Sequence, residues 1–492
     1  MDRKTCFRFF RSAALCAGAL LATGCVQPLG PGFHFVNRQA EIRSSAGAPD
    51  RLHIRVVDHL DNAGDRTLRS LEVRMPEGPN FGTQNLSFRI DDRQASLEHS
   101  SKNDPRMMQA EFDPPWQQKR PREIATEWDL APGASTRGTV AVSANAFYIA
   151  DQTALPLWQA PFGIFSKGGP TPDRTVLTVI APKDFRVLAP GNPRKGGVKG
   201  NVATHVFRIR PDRDFLPYVV AGRYREQVVR VQRATVRFWT FQPLPVPEAR
   251  QAGARLSSSM KAFADFFGPA SRAKPAIHVV EAPGDLPSAF GENNGFGGTT
   301  FPDGVLLDSR AIAKGVANEA VLQVAEYELA RTWFGWRVQP TPEAQILMGR
   351  GVGLFALVIA AEARGPDQRR RMVASLLDRY DRARSISADK RLIAPPGEYS
   401  RAQRVSTGYR GALFLVALED LCGHDALRAA FREVVHSRSG DQTGYEELRS
   451  AVEYSSGRNL AEMFRRWLIR PGVPDDFRAR YAGSPSAPSV SP

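Results

Sequence analysis

The alternation of apolar and polar positions divides the chain into two stretches with different periods. From about Asp50 to Phe241, short runs place β-formers at a spacing of two between Pro, Gly and Asp breaks. His53–Val57, Ser70–Arg74, Gly138–Ser143 and Gln227–Val231 are such runs and predict strands. After the proline-rich Pro243–Glu248 the spacing lengthens to three and four, predicting helices over 248–267, 316–337, 343–364, 366–381, 407–422, 424–437, 444–456 and 459–470. One strand, Ala276–Val280, and a glycine-rich stretch at 291–298 interrupt them. The chain therefore reads as multidomain, with an N-terminal all-β domain over 50–242, an α+β domain over 243–395 and a helical C-terminal part over 396–482. Residues 483–492 are low in complexity and predict a disordered tail.

Within 316–337, a rotation of about 100° per residue puts Glu319, Gln323, Glu326 and Arg337 on one stripe, expected to face water. Glu328 then points inward, and Arg331 shares the inner side with Ala320, Val324 and Gly335. Arg350 follows Ile346 and precedes Gly353 and Leu357 at helical spacing. Charges so placed require partners. Arg331 and Arg350 are expected to pair with Glu328, and Glu292 is a further carboxylate within reach of that expectation.

Composition narrows the picture. With 492 residues, 42% hydrophobic and 24% charged, the chain is neither disordered nor collagen-like. Its formal charge of +15 raises nucleic acid or a membrane surface as partners, but the excess comes from 55 arginines beside 11 lysines, a skew that genomic base composition also gives. Arg3, Lys4, Arg8 and Arg11 precede an apolar run from Ser12 to Leu21, too short to span a bilayer stably, which reads as an export signal. Leu21-Ala22-Thr23-Gly24-Cys25 resembles the bacterial lipoprotein signal. That resemblance implies a signal peptide over 1–24 and lipidation of Cys25. Frequent Pro, Gly and polar residues from Gln27 to about Gly47 then predict a tether, over 25–49. The lipoprotein resemblance places the protein at the cell envelope, on the outer membrane facing the periplasm. An ordinary secretory signal with a fortuitous cysteine is the other reading. Export leaves no role for nucleic acid and a mature charge of +12, and it leaves Cys422 without a disulfide partner.

Residues 324–336 read Val-Ala-Glu-Tyr-Glu-Leu-Ala-Arg-Thr-Trp-Phe-Gly-Trp. This resembles the zinc helix of peptidase family M1, the gluzincin aminopeptidases related to alanyl aminopeptidase, whose core pattern is H-E-L-A-H-x-W-F-G. In that pattern two imidazoles at i and i+4 bind one zinc ion, the intervening Glu activates the metal-bound water, and a second Glu follows on the next helix. Here Tyr327 and Arg331 stand at the two His positions, and Glu328 at the general base. Arg350 stands at the third ligand after the family's spacing of eighteen residues. Ala289–Asn293 resembles the G-A-M-E-N loop, implying substrate binding by Glu292 and Asn293. Gly408–Ala412 resembles the Y-x-K-G-A segment of the oxyanion tyrosine. In register that tyrosine falls on Gly408, with Tyr409 one place away. Trp467–Pro474 resembles the family's closing W-x-x-x-x-G-x-P. The resemblance implies a thermolysin-like middle domain.

No other metal site replaces the missing ligands in sequence. The eight histidines include none between 279 and 423 and no i,i+4 pair. A phenol is protonated near neutrality and a guanidinium is a permanent cation, so Tyr327, Arg331 and Arg350 are poor zinc ligands, and no cofactor is expected. Two function classes remain. One is a non-catalytic pseudopeptidase that binds a peptide or protein in the former cleft. The other is a hydrolase with an unusual metal arrangement, or with metal-free chemistry at Glu328.

Overall fold

The computed structural model describes residues 33–481 except for several short segments, chiefly 76–82, 101–106, 159–171, 210–217, 270–275 and 287–296. The signal with Cys25, the C-terminal tail, and Glu292 and Asn293 lie outside the described residues.

The N-terminal region is rich in β-sheet, as its period-two pattern predicts. Its largest sheet has eight strands. His34–Ser44 lies inside it, parallel to Thr175–Pro182 on one side and antiparallel to Leu52–Asp61 on the other. The tether expected over 25–49 is therefore overturned across these eleven residues. Alternation is present there, with Phe33, Phe35, Ala40 and Ile42 buried, but Asn37, Arg38 and Gln39 interrupt it in sequence. The structure explains the interruption. Arg38 faces Asp58 across the ladder and donates to both of its carboxylate oxygens at 2.7 Å, with both side chains buried. A bidentate pair satisfies a charge that an apolar sheet face otherwise rejects.

Beyond two smaller sheets of that region, a further sheet has five strands in the spatial order Arg225–Val231, Ala234–Thr240, Ala276–Glu281, Gly304–Leu307 and Gly298–Phe301. Its three middle strands are parallel, and Gly298–Phe301 closes one edge antiparallel. Two of its strands precede the boundary expected at 242–243, so the sheet begins earlier than the change of period suggests. The reason is that Arg225–Thr240 forms a hairpin whose partner, Ala276–Glu281, follows an intervening helix.

Helix α1 (Val246–Phe267) lies against this sheet. Its Gly253 permits close approach, because a Cβ there would sit 2.9 Å from Val229 Cγ1. Helix α2 (Glu319–Ala330) packs on the edge strand. A single π-helical turn, Gln345–Gly351, runs into α3 (Val352–Glu362), followed by α4 (Pro366–Ile386), α5 (Arg401–Cys422) and α6 (His424–Ser437). Gln345–Glu362 is apolar enough to cross a bilayer by composition, yet it is mostly buried among its neighbouring helices. One continuous hydrophobic core runs from Val229 to Tyr481 and joins sheet, α2 and the later helices.

The stripe of α2 expected to face water does not. Glu326 is fully buried and Gln323 nearly so, because α1 and α3 enclose the helix from both sides. Arg255 of α1 donates to Glu326 at 2.8 and 3.1 Å, Ser259 at 2.6 Å, and Arg364 at 3.3 Å. Glu319, itself bonded to Arg255, stays about half exposed, and Arg337, beyond the end of the helix, is partly exposed. Removing a buried partner leaves the opposing charges uncompensated, so Glu326→Ala is expected to cost about 3–5 kcal/mol. Glu319→Ala should cost no more than about 1 kcal/mol, because water screens its pair. Urea unfolding followed by circular dichroism separates the two variants; equal midpoints would contradict the assigned network.

Candidate functional site

Asn318 caps α2 by accepting a hydrogen bond from the amide of Ala320, and the helix ends at Ala330. The helix expected to continue to 337 stops there because Trp333 is fully buried and its indole donates to the carbonyl of Gly268 at 2.8 Å. The amides of Arg337 and Val338 then reach back five residues, to Thr332 and Trp333. Gly335 permits the turn, since a Cβ would lie 2.9 Å from the Arg331 carbonyl oxygen. Arg331 consequently sits at the helix end, with 34% of its side chain exposed, rather than on a fully buried inner face.

Glu328 is buried, and its Oε2 accepts from Arg331 Nη1 at 2.7 Å. The backbone of Thr300, in the edge strand, also hydrogen-bonds this carboxylate. Burial nonetheless raises the Glu328 pKa above the usual carboxylate value, with Arg331 and Arg350 opposing the shift. The strand approaches closely at Gly298, where a Cβ would stand 2.9 Å from Val324 Cγ1 and 3.3 Å from Glu328 Cγ.

Tyr327 is buried one residue earlier, and the Arg331 guanidinium carbon lies 5.9 Å from the centroid of its ring, within cation–π range. Burial raises its phenol pKa, against the pull of Arg350 and Arg331. The ring fits because residue 353 is glycine: a Cβ there would fall 2.7 Å from Tyr327 Cε2. Arg350, on the π-helical turn, has the same kind of accommodation. A Cβ on Gly408 of α5 would lie 2.5 Å from Arg350 Cδ and 2.8 Å from its Cγ. Tyr409 is buried next to Gly408 and hydrogen-bonded by Arg379 of α4. Burial raises its pKa too, with Arg379 and Arg350 opposing.

The structure thus brings Tyr327, Glu328, Arg331, Arg350 and Tyr409 into one neighbourhood. Arg379 is an additional member, held at 2.9 Å on the buried Gln323. Sequence spacing gave no sign of Arg379, because α4 reaches the site only through packing. Gly353 and Gly408 carried a signal of a kind, being glycines inside helices, where the residue is ordinarily unfavourable.

A second group lies elsewhere. Among the described residues, Glu362, Glu419 and His424 place ligand atoms within 4.8 Å of one another. Arg369 donates to Glu419 at 2.8 Å and His424 Nδ1 lies 2.8 Å from the same carboxylate, so these groups form an ion-pair network. It sits at the far end of α3 from Arg350.

No protein-family model matches the chain. Among solved structures it is similar to an M1 zinc metallopeptidase from Deinococcus radiodurans, with a TM-score of 0.64 and 17% sequence identity, covering 90% of this chain and 95% of the other. A mutant of that enzyme bound to a Tyr-Ser-Ala substrate matches with the same score and coverage. A mutant two-domain M1 zinc metallopeptidase bound to L-tryptophan matches with a TM-score of 0.64 at 16% identity, covering 90% of this chain and 96% of the other. The likeness is one of fold, and it supports the M1-type architecture over nearly the whole chain.

Two outcomes follow from the geometry. Gly408→Ala drives a methyl into the Arg350 stem and should lower stability by about 1–3 kcal/mol, as overpacking does. An unchanged unfolding midpoint would place Arg350 elsewhere. Because the Glu328 pKa is higher folded than unfolded, the folded chain holds the extra proton between the two values. The contribution of Glu328 to stability therefore declines as pH rises through that window. Glu328→Gln should remove this dependence, which stability measured from mildly acid to neutral pH would reveal.

Proposed function

We propose that this chain is an exported, non-catalytic relative of the M1 aminopeptidases, anchored at the cell envelope through Cys25, that holds a peptide or protein segment in the cleft beside α2. The observation that carries the reading is the chemistry at the three positions matching the family's metal ligands. Tyr327 is a buried phenol, Arg331 is ion-paired to Glu328, and Arg350 is a guanidinium seated against Gly408. This donor set does not fit zinc. Guanidiniums offer no lone pair, and the neutral phenol, its pKa raised further by burial, offers no anion.

The positive charges of Arg331 and Arg350 instead stand beside Glu328, which keeps that carboxylate satisfied in a buried place. A fold built to receive a peptide, with its metal chemistry gone, is left with recognition. The competing hydrolytic reading has Glu328 in its favour, a buried carboxyl with a raised pKa of the sort general bases show. It lacks an electrophile other than arginine.

Metal analysis of the purified protein together with turnover of aminoacyl substrates is the deciding experiment. Substoichiometric zinc and no chelator-sensitive cleavage are expected; stoichiometric zinc with such cleavage would overturn the proposal. The triple variant Tyr327→His, Arg331→His, Arg350→Glu restores the ligand pattern and is expected to gain zinc if the cleft retains its geometry.

A further inference from the structure

Four elements converge on the site, and three of them bring a guanidinium. Arg331 comes from the end of α2, Arg350 from the π-helical turn, and Arg379 from α4, while α5 supplies Tyr409 and Gly408. Facing them are two buried phenols, Tyr327 and Tyr409, and one buried carboxylate, Glu328. Arg331 is about one-third exposed, and Arg350 and Arg379 are partly exposed although Nε of Arg350 and Nη1 of Arg379 are themselves buried, while the phenols and the carboxylate are covered.

We infer that this cluster is a carboxylate-binding site, and that the peptide of the preceding reading, on which this inference rests, enters with its C-terminal carboxylate toward Arg331 and Arg350. Four physical features favour that orientation. A guanidinium offers paired, coplanar donors that match the two oxygens of a carboxylate. Glu328 already engages Nη1 of Arg331, and the Tyr327 ring lies under the same guanidinium, so its fork is held before a ligand arrives. Less ordering is then left to be done on binding. The stem of Arg350 is likewise seated against Gly408, and a Cβ on Gly353 would meet both the Tyr327 ring and the Arg331 stem. A peptide ammonium, by contrast, would approach three like charges in a partly desolvated place. Burial keeps both phenols protonated, so they add no negative charge beside the guanidiniums.

Isothermal titration of the intact protein with the tripeptide Tyr-Ser-Ala tests the inference in three forms: the free acid, its C-terminal amide and the N-acetylated acid. The acid and the acetylated acid should bind alike. The amide should bind about tenfold or more weakly, the scale of one charge-assisted hydrogen bond. Arg350→Gln should reduce the acid to the level of the amide, and Arg350→Lys should recover part of the loss. Inorganic phosphate at the peptide's concentration should not compete.

Equal binding of acid and amide, or loss of binding on acetylation, would overturn the carboxylate orientation while leaving peptide recognition intact. Competition by phosphate would overturn it in favour of a general anion site. Absence of binding by all three forms would overturn both the orientation and the peptide-binding reading. The comparison of acid with amide uses the unaltered protein, so it holds even if the Arg350 variants fold poorly.

Discussion

The near-complete enclosure of α2 is the constraint on which the rest of this half of the molecule depends. Eleven of its twelve residues are buried, among them Gln323, Glu326 and Glu328. A helix surrounded on all sides must satisfy each polar group from its neighbours, because no water reaches them. The arginines distribute this task. Arg255 of α1 and Arg364 beyond α3 serve Glu326, Arg379 of α4 serves Gln323, and Arg331 at the helix end serves Glu328. Each surrounding helix is thereby tied to the same central element by a charge-assisted bond as well as by apolar packing. The arginine excess of the composition has a local structural use here, whatever its origin.

The candidate site grows out of the same enclosure. Two large side chains, Tyr327 and Arg350, occupy a crowded space, and in both cases a glycine faces them from the adjacent element. Size has been exchanged between neighbours: a ring or a long stem on one helix, no side chain on the next. Interiors packed at crystal-like density admit few other solutions. Such pairing means that neither residue is interchangeable alone, and it gives the guanidiniums defined positions. Positive charge held in place, beside phenols that keep their protons, is the electrostatic character of the site.

Much of the fold was legible along the chain. The change of spacing near 243 marked the passage from sheet to helix, and most helix boundaries fall within a few residues of those expected, since amphipathic periodicity is a local signal. The order of motifs from 289 to 474 carried the likeness to M1 peptidases, a fold that the solved structures share at low identity. What was not legible depended on partners distant in sequence. His34–Ser44 falls in a stretch whose Pro, Gly and polar residues suggest a tether, and only the ladder with Asp58 shows why Arg38 belongs in a strand. The buried stripe of α2 is not legible either, because polarity alone does not distinguish a solvated carboxylate from one matched, like Glu326, by arginines on α1 and beyond α3.

By itself the sequence determined the identities of Tyr327, Glu328, Arg331 and Arg350, and with them the side-chain chemistry available there: a phenol, a carboxylate and two guanidiniums. Tertiary structure decided where those groups point and what they meet. It ended α2 at Ala330 by burying Trp333, left Arg331 partly exposed, brought Arg379 across from α4, and fitted Arg350 against Gly408. Ligand chemistry is a property of single residues and is written locally. Burial and charge pairing belong to residues far apart in the chain, and they exist only once packing has brought those residues together.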